Sequence, residues 1–124
     1  MQTFTFRSGH EPNQASIQKS ATSQPAYQID FSDCLVGSDA ISTGATTAVD
    51  QTNTTATTNC VRSTSVSGNK LIVYLATCGT SGTSPAVDGQ RFRLTTTMTS
   101  TNGIVYPYNV YVFVIAKSYA PIPA

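Results

Sequence analysis

Arg91-Phe92-Arg93-Leu94-Thr95-Thr96-Thr97-Met98-Thr99, the turn Ser100-Thr101-Asn102-Gly103, and Tyr108-Asn109-Val110-Tyr111-Val112-Phe113-Val114-Ile115-Ala116 form the stretch that decides the fold. In the first arm Phe92, Leu94, Thr96 and Met98 share one face, while Arg91, Arg93, Thr95, Thr97 and Thr99 share the other. A period of two is that of a strand with one side on a core and one toward water. Asn-Gly accepts the positive φ angles that a tight hairpin requires. The returning arm puts Val110, Val112 and Val114 on one face, yet Tyr111, Phe113 and Ile115 make the opposite face apolar too. Sandwich sheets normally wet their outer faces, so this arm predicts a cover, supplied by the chain's own arm or by another subunit.

Outward from the hairpin, Leu71-Ile72-Val73-Tyr74-Leu75-Ala76 reads as a buried central strand and Tyr27-Gln28-Ile29-Asp30-Phe31 as the first strand. Ser32 or Asp33 is placed to cap a single helical turn that Gly37 ends. Extended structure resumes over Asp39-Ala40-Ile41-Ser42-Thr43. Residues 44–61 are Thr-, Ala- and Asn-rich, which predicts one or two short outer strands without clear boundaries; Ser63-Thr64-Ser65-Val66 adds another. Ser67-Gly68-Asn69-Lys70 is a turn, and Cys78-Gly79-Thr80-Ser81-Gly82-Thr83-Ser84-Pro85 is a loop. Pro107, between Tyr106 and Tyr108, predicts an edge, a bulge or a kink. No helical period and no internal repeat appears. About seven short strands predict an all-β chain, an immunoglobulin-like antiparallel β-sandwich over residues 26–117. It carries an extended polar N-terminal arm over 1–25 and a Pro-containing tail over 118–124.

The chain has 124 residues, enough for one core without staples. Only 10% of residues are charged, against about 25% in ordinary globular proteins, and Trp is absent. Such a surface suits assembly proteins and adhesins better than metabolic enzymes. A net charge of +1 gives no electrostatic reason to expect nucleic acid or an anionic membrane as partner. Cys34, Cys60 and Cys78 are an odd set without close spacing: one pair could bridge and leave one thiol over, but a disulfide framework normally uses an even number, which favours three free, mostly buried thiols in a reducing cytoplasm. The N-terminus shows no basic-then-apolar pattern, so the chain reads as soluble and not exported by the general route.

Catalytic chemistry finds little material. His10 is the only histidine and Glu11 the only glutamate, both in the polar arm. Asp30, Asp33, Asp39 and Asp88 are candidates for a carboxylate pair, and Asp33 and Asp39 for a calcium site, but capping a turn is the ordinary use of Asp30 and Asp33, and no spaced acidic loop supports calcium. The cysteines with His10 lack the close pairs of zinc sites. Gly79-Thr80-Ser81-Gly82 precedes no helix and so forms no phosphate cradle. Asn53-Thr54-Thr55 matches a glycosylation sequon, which has no meaning without export. No catalytic, cofactor-binding or metal residue is therefore predicted. The predicted site is an interface: Phe4 and Phe6 as anchors of the arm, Arg91 and Arg93 paired with Asp50 or Asp88 of a neighbour, and Tyr106, Tyr108, Tyr111, Phe113 and Ile115.

The segments from Tyr27 to Val114 resemble a known family, the small immunoglobulin-like fiber-tail adaptor proteins of tailed bacteriophages. The resemblance is carried by Tyr27-Gln28-Ile29-Asp30-Phe31-Ser32-Asp33-Cys34-Leu35, Asp39-Ala40-Ile41-Ser42, and Leu71-Ile72-Val73-Tyr74-Leu75 with the loop over 76–82. Phe92-Arg93-Leu94-Thr95 and Met98-Thr99-Ser100-Thr101-Asn102-Gly103 complete it. The chain departs from the family at Cys34, Thr77-Cys78-Gly79 and Ile104, and its 44–65 region is longer. The resemblance implies a non-enzymatic virion protein of the neck or tail, assembled in the host cytoplasm. It implies a ring of identical copies, contacts with other neck, tail and fiber proteins, and no cofactor. The alternatives from the residues alone are a secreted adhesin, a pilin-like or surface-layer module, and, further off, a carbohydrate-binding module.

Overall fold

The alternation in the deciding hairpin is realised in a computed structural model that describes residues 1–9, 13–51, 58–80 and 89–115. Eight strands follow in chain order: β1 (Gln2–Thr5), β2 (Gln14–Lys19), β3 (Ala26–Asp30), β4 (Ile41–Asp50), β5 (Thr58–Ser67), β6 (Lys70–Thr80), β7 (Arg91–Ser100) and β8 (Val105–Val114). They form two four-stranded sheets, β1-β3-β6-β5 and β2-β8-β7-β4, that pack as a sandwich. From β3 onward this is the immunoglobulin strand order. Tyr27, Ile29, Leu71, Val73 and Leu75 of the first sheet meet Phe92, Leu94, Met98, Val110 and Val112 of the second in one core.

The N-terminal segment corrects two expectations. Residues 1–25 supply β1 and β2, one to each sheet, so the strands number eight, and the sandwich is not wholly antiparallel. β1 pairs parallel with β3, and β2 pairs parallel with β8. The segment lacks apolar content of its own, but both sheets present it with an unpaired edge. The Phe6 amide donates to the Asp30 carbonyl at 2.9 Å, and the Ile115 amide donates to the Lys19 carbonyl at 2.8 Å. Phe6, only 2% exposed, lies 5.4 Å from the Phe31 ring and 5.3 Å from the Tyr106 ring. Ladder bonds and a buried ring offset the ordering entropy that composition alone leaves uncovered.

The Thr-rich region resolves into long strands. β4 and the start of β5 bracket it, and β4 runs beside β7 from Ile41↔Ser100 to Asp50↔Phe92. A hydroxyl chain joins the sheets there: Thr64 donates to Thr46 at 2.9 Å, and Thr46 and Thr96 lie 3.0 Å apart. Pro107 pairs with Thr97 within β8, whose pairing with β2 begins only at Asn109. The Asn109 amide points to the β2 side, toward the Asn13 carbonyl, so the nitrogen of Pro107 two residues earlier faces an open edge. The helical turn is a 3-10 turn over Ser32–Cys34, with Phe31 at its cap position and no side-chain cap. The Asp30 carboxylate instead accepts from the Ser32 amide and hydroxyl.

The cysteine expectation is also corrected. Cys60 and Cys78 form a disulfide between β5 and β6, and only Cys34 is free, its thiol directed at the Phe31 carbonyl. The β5–β6 register shifts between Asn59 and Val61, and this irregularity sets Cys60 against Cys78. Two residues 18 apart thus meet with no spacing motif to announce them. His10, Glu11, the sequon at Asn53, Asp88 and the tail over 118–124 lie outside the described residues.

Candidate functional site, the outer face of the second sheet

Alternation along β7 and β8 sends Phe92, Leu94, Thr96, Val110 and Val112 inward, and their neighbours outward. Register then fixes who stands beside whom. Phe113 lies between Arg91 of β7 and Gln18 of β2; Tyr111 lies between Arg93 and Ser16, with Val49 of β4 beyond Arg93. Below them Thr95 donates its hydroxyl to the Asn109 side chain at 2.8 Å. Arg91 and Arg93 are exposed, Tyr111 is half-buried, and Phe113 is 36% exposed. Among the described residues, this face carries two guanidinium groups, two aromatic rings and no carboxylate. Guanidinium planes beside aromatic rings stack on a partner and pair with its carboxylates, so the face is suited to binding.

Four of the predicted interface residues, Arg91, Arg93, Tyr111 and Phe113, come together here. Ile115, just past β8, is half-buried like Tyr111, and its amide donates to the Lys19 carbonyl at the end of β2. Phe4, Phe6, Tyr106 and Tyr108 pack within the chain. The Phe4 ring sits 5.7 Å from Tyr27 and 6.3 Å from Tyr108, and Phe6 and Tyr108 belong to the core. Their side chains follow from the inward parity of Tyr106 and Tyr108 and from the edge position of β1. Asp50, predicted to meet a neighbour's arginine, is buried at the end of β4 and is not presented to a neighbour.

A second surface, which the sequence reading did not single out, lies at the end where β3 passes to β4. The Asp39 carboxylate accepts from the Ala40 amide at 3.0 Å, the Thr101 hydroxyl at 2.6 Å and the Asn102 amide at 3.2 Å. The Thr101 amide donates in turn to the Ala40 carbonyl. Asp39 so pins the β7–β8 turn to the β3–β4 connection. The Thr101 hydroxyl is the foremost of the donors that hold the Asp39 carboxyl below its usual range. Asp33 accepts from the Ser8 amide at 2.7 Å. Val36 is 78% exposed and Ile104 48% exposed on the same end. An Asp just before a strand and a Thr-Asn pair in a hairpin turn were the signals, but their meeting depends on the β4–β7 register.

Lys19 is buried, and its ammonium donates to the carbonyls of Ser20, Ala21 and Thr77, joining the end of β2 to β6. Burial lowers its pKa. Burial also pushes the Cys34 thiol up to about 11, which keeps it protonated and unreactive. Among the described residues, no group of three His, Cys, Asp or Glu side chains could hold a metal ion, and no ligand-sized pocket opens. No family model matches the sequence, and no curated protein matches it significantly.

Proposed function

We propose that this protein is a structural virion protein of a tailed phage, an adaptor of the neck and tail region that links fibers to the tail through symmetric assembly and carries no catalytic function. The observation that carries the binding reading is the row pair Arg91–Phe113 and Arg93–Tyr111 on the outer face of the second sheet. Rings with adjacent guanidinium groups on a rigid sheet are the composition of recognition surfaces, and aromatic and Arg side chains dominate binding energy there. The virion setting rests on the family resemblance of the strands from Tyr27 to Val114, together with the low charge of the whole chain. Identical copies and the neighbouring tail and fiber proteins are the partners this reading names.

The Cys60–Cys78 bridge favours a second reading, a secreted adhesin or a pilin-like or surface-layer module. Disulfides persist on virion surfaces as well as in secreted proteins, so the bridge is compatible with both readings. Co-sedimentation separates the two. Purified protein is mixed with phage tails that lack it, and separately with bacterial cells. The adaptor reading expects pelleting with tails, lost on Arg91→Glu/Arg93→Glu; binding to cells alone would replace it with the adhesin reading.

A further inference from the structure

We infer that the outer face of the second sheet receives the β3–β4 end of another copy of this chain, so that copies join head to side through unlike surfaces. The inference deepens the adaptor reading by naming the occupant of the face, and it rests on that reading for its setting. Apart from buried Asp50, the side-chain carboxylates among the described residues are Asp30, Asp33 and Asp39. All three lie on the connection from β3 to β4 or at its start, with Lys70 beside Asp30 and exposed Val36 between Asp33 and Asp39. Arg91 and Arg93 lie at the other end of β7, which pairs with β4 from Ile41↔Ser100 at the carboxylate end to Asp50↔Phe92. One end thus combines carboxylates with Val36 and Ile104, while the face combines guanidinium groups with Tyr111 and Phe113. The end supplies the carboxylates that the face lacks, with Lys70 offsetting Asp30 there, and both surfaces bring apolar area to the contact.

One copy cannot close this contact on itself. Ten residues of strand separate the two surfaces, roughly 30 Å. A two-fold pairing of face on face is disfavoured, since it sets Arg91 and Arg93 against their own copies. Contact between unlike surfaces remains, and that geometry builds rings when the rotation closes and filaments when it does not. The Asp39 bonds hold the donor end rigid before contact, which reduces the ordering cost of association.

The test uses two full-length variants in sedimentation velocity at low salt. Arg91→Glu/Arg93→Glu removes the face and keeps the end. Val36→Arg/Ile104→Arg removes the end and keeps the face, without touching the Asp39 bonds. Circular dichroism and thermal unfolding confirm that both fold; should the arginine reversal unfold the chain, Arg91→Gln/Arg93→Gln serves in its place. The expected result is a wild-type oligomer weakened by added salt, and association at least about tenfold weaker in each variant alone. Mixed together, the variants form a one-to-one pair that grows no further, because each supplies the surface the other has lost. A wild type that stays monomeric at every concentration overturns the inference, and so does an end variant that self-associates like wild type. A monomer that still pellets with tails leaves the adaptor reading standing, whereas an oligomer that ignores them overturns that reading and keeps the head-to-side contact.

Discussion

At Gly44 the absence of a side chain is what lets β4 approach the first sheet. A Cβ built there falls 2.6 Å from both methyl carbons of Leu71, and Leu71 is fully buried with nowhere to turn. Gly44→Ala should therefore cost about 1–3 kcal/mol through overpacking, and Gly44→Val more, read as a lower urea midpoint with an unchanged slope. Tyr27 presents the opposite case. Its ring is buried against Phe4, but its hydroxyl has no hydrogen-bond partner, although it approaches Thr96, whose own hydroxyl is engaged with Thr46. Tyr27→Phe removes a buried group that gains nothing in the fold, so stability should hold or rise by about 1 kcal/mol. A loss of that size in the same urea titration would show that the Thr96 contact stabilises the fold after all. Neither residue is legible from sequence as special, because a Gly in a Thr-rich run and a Tyr in an alternating strand both look generic.

Single elements divide into those that announce themselves and those that borrow their order. β3, β7, β8 and the centre of β6 were legible because inward residues such as Ile29, Leu94, Val112 and Val73 are large and alternate cleanly. The outer face was legible for the same reason, as parity alone assigns Arg91, Arg93, Tyr111 and Phe113 to it. β4 and β5 were blurred because their inward positions hold Gly44, Thr46 and Thr64, whose contacts are hydroxyl bonds and close backbone approach rather than apolar bulk. β1 and β2 were invisible, since their partners β3 and β8 lie elsewhere in the chain and their pairing has no local signature. Their importance is testable. Phe6→Ala should cost about 3–5 kcal/mol in chemical unfolding, as the ring closes the space between Phe31 and Tyr106. A variant near wild-type stability would mean that β1 is a detachable arm. The disulfide gives an independent element-scale reading: it closes a loop of 18 residues between β5 and β6, so Cys60→Ala/Cys78→Ala should lower stability by about 3 kcal/mol. Equal unfolding midpoints for bridged and variant protein would show that the cross-link does not constrain the unfolded chain.

At the scale of the whole molecule, the carboxyls with lowered pKa values among the described residues lie at one end. Asp30 and Asp39 both sit at the β3–β4 end, and both have carboxyl pKa values below the ordinary one. The hydroxyl of Ser32 is the leading cause for Asp30, and that of Thr101 for Asp39. A carboxyl with a lower pKa folded than unfolded adds stability above the unfolded value, near pH 4, and loses it as pH falls through the folded value. Urea midpoints should therefore stay level from neutral pH down to about 4 and then decline, with the Asp39 bonds opening among the first contacts. Asp39 is only half-buried, so salt and water screen its share, and the decline should be gradual. Asp39→Asn keeps an acceptor oxygen toward Ala40 and Asn102 but carries no charge to titrate. It should flatten the acid decline, and the Ala40 and Asn102 amide signals should stop moving with pH. The same titration bears on assembly, because protonating this end removes the charge that faces Arg91 and Arg93 in the next copy. Dissociation below about pH 4, ahead of unfolding, is the ordering these residues require. Unfolding that precedes dissociation, or an acid limb unchanged in Asp39→Asn, would remove the β3–β4 end from both roles.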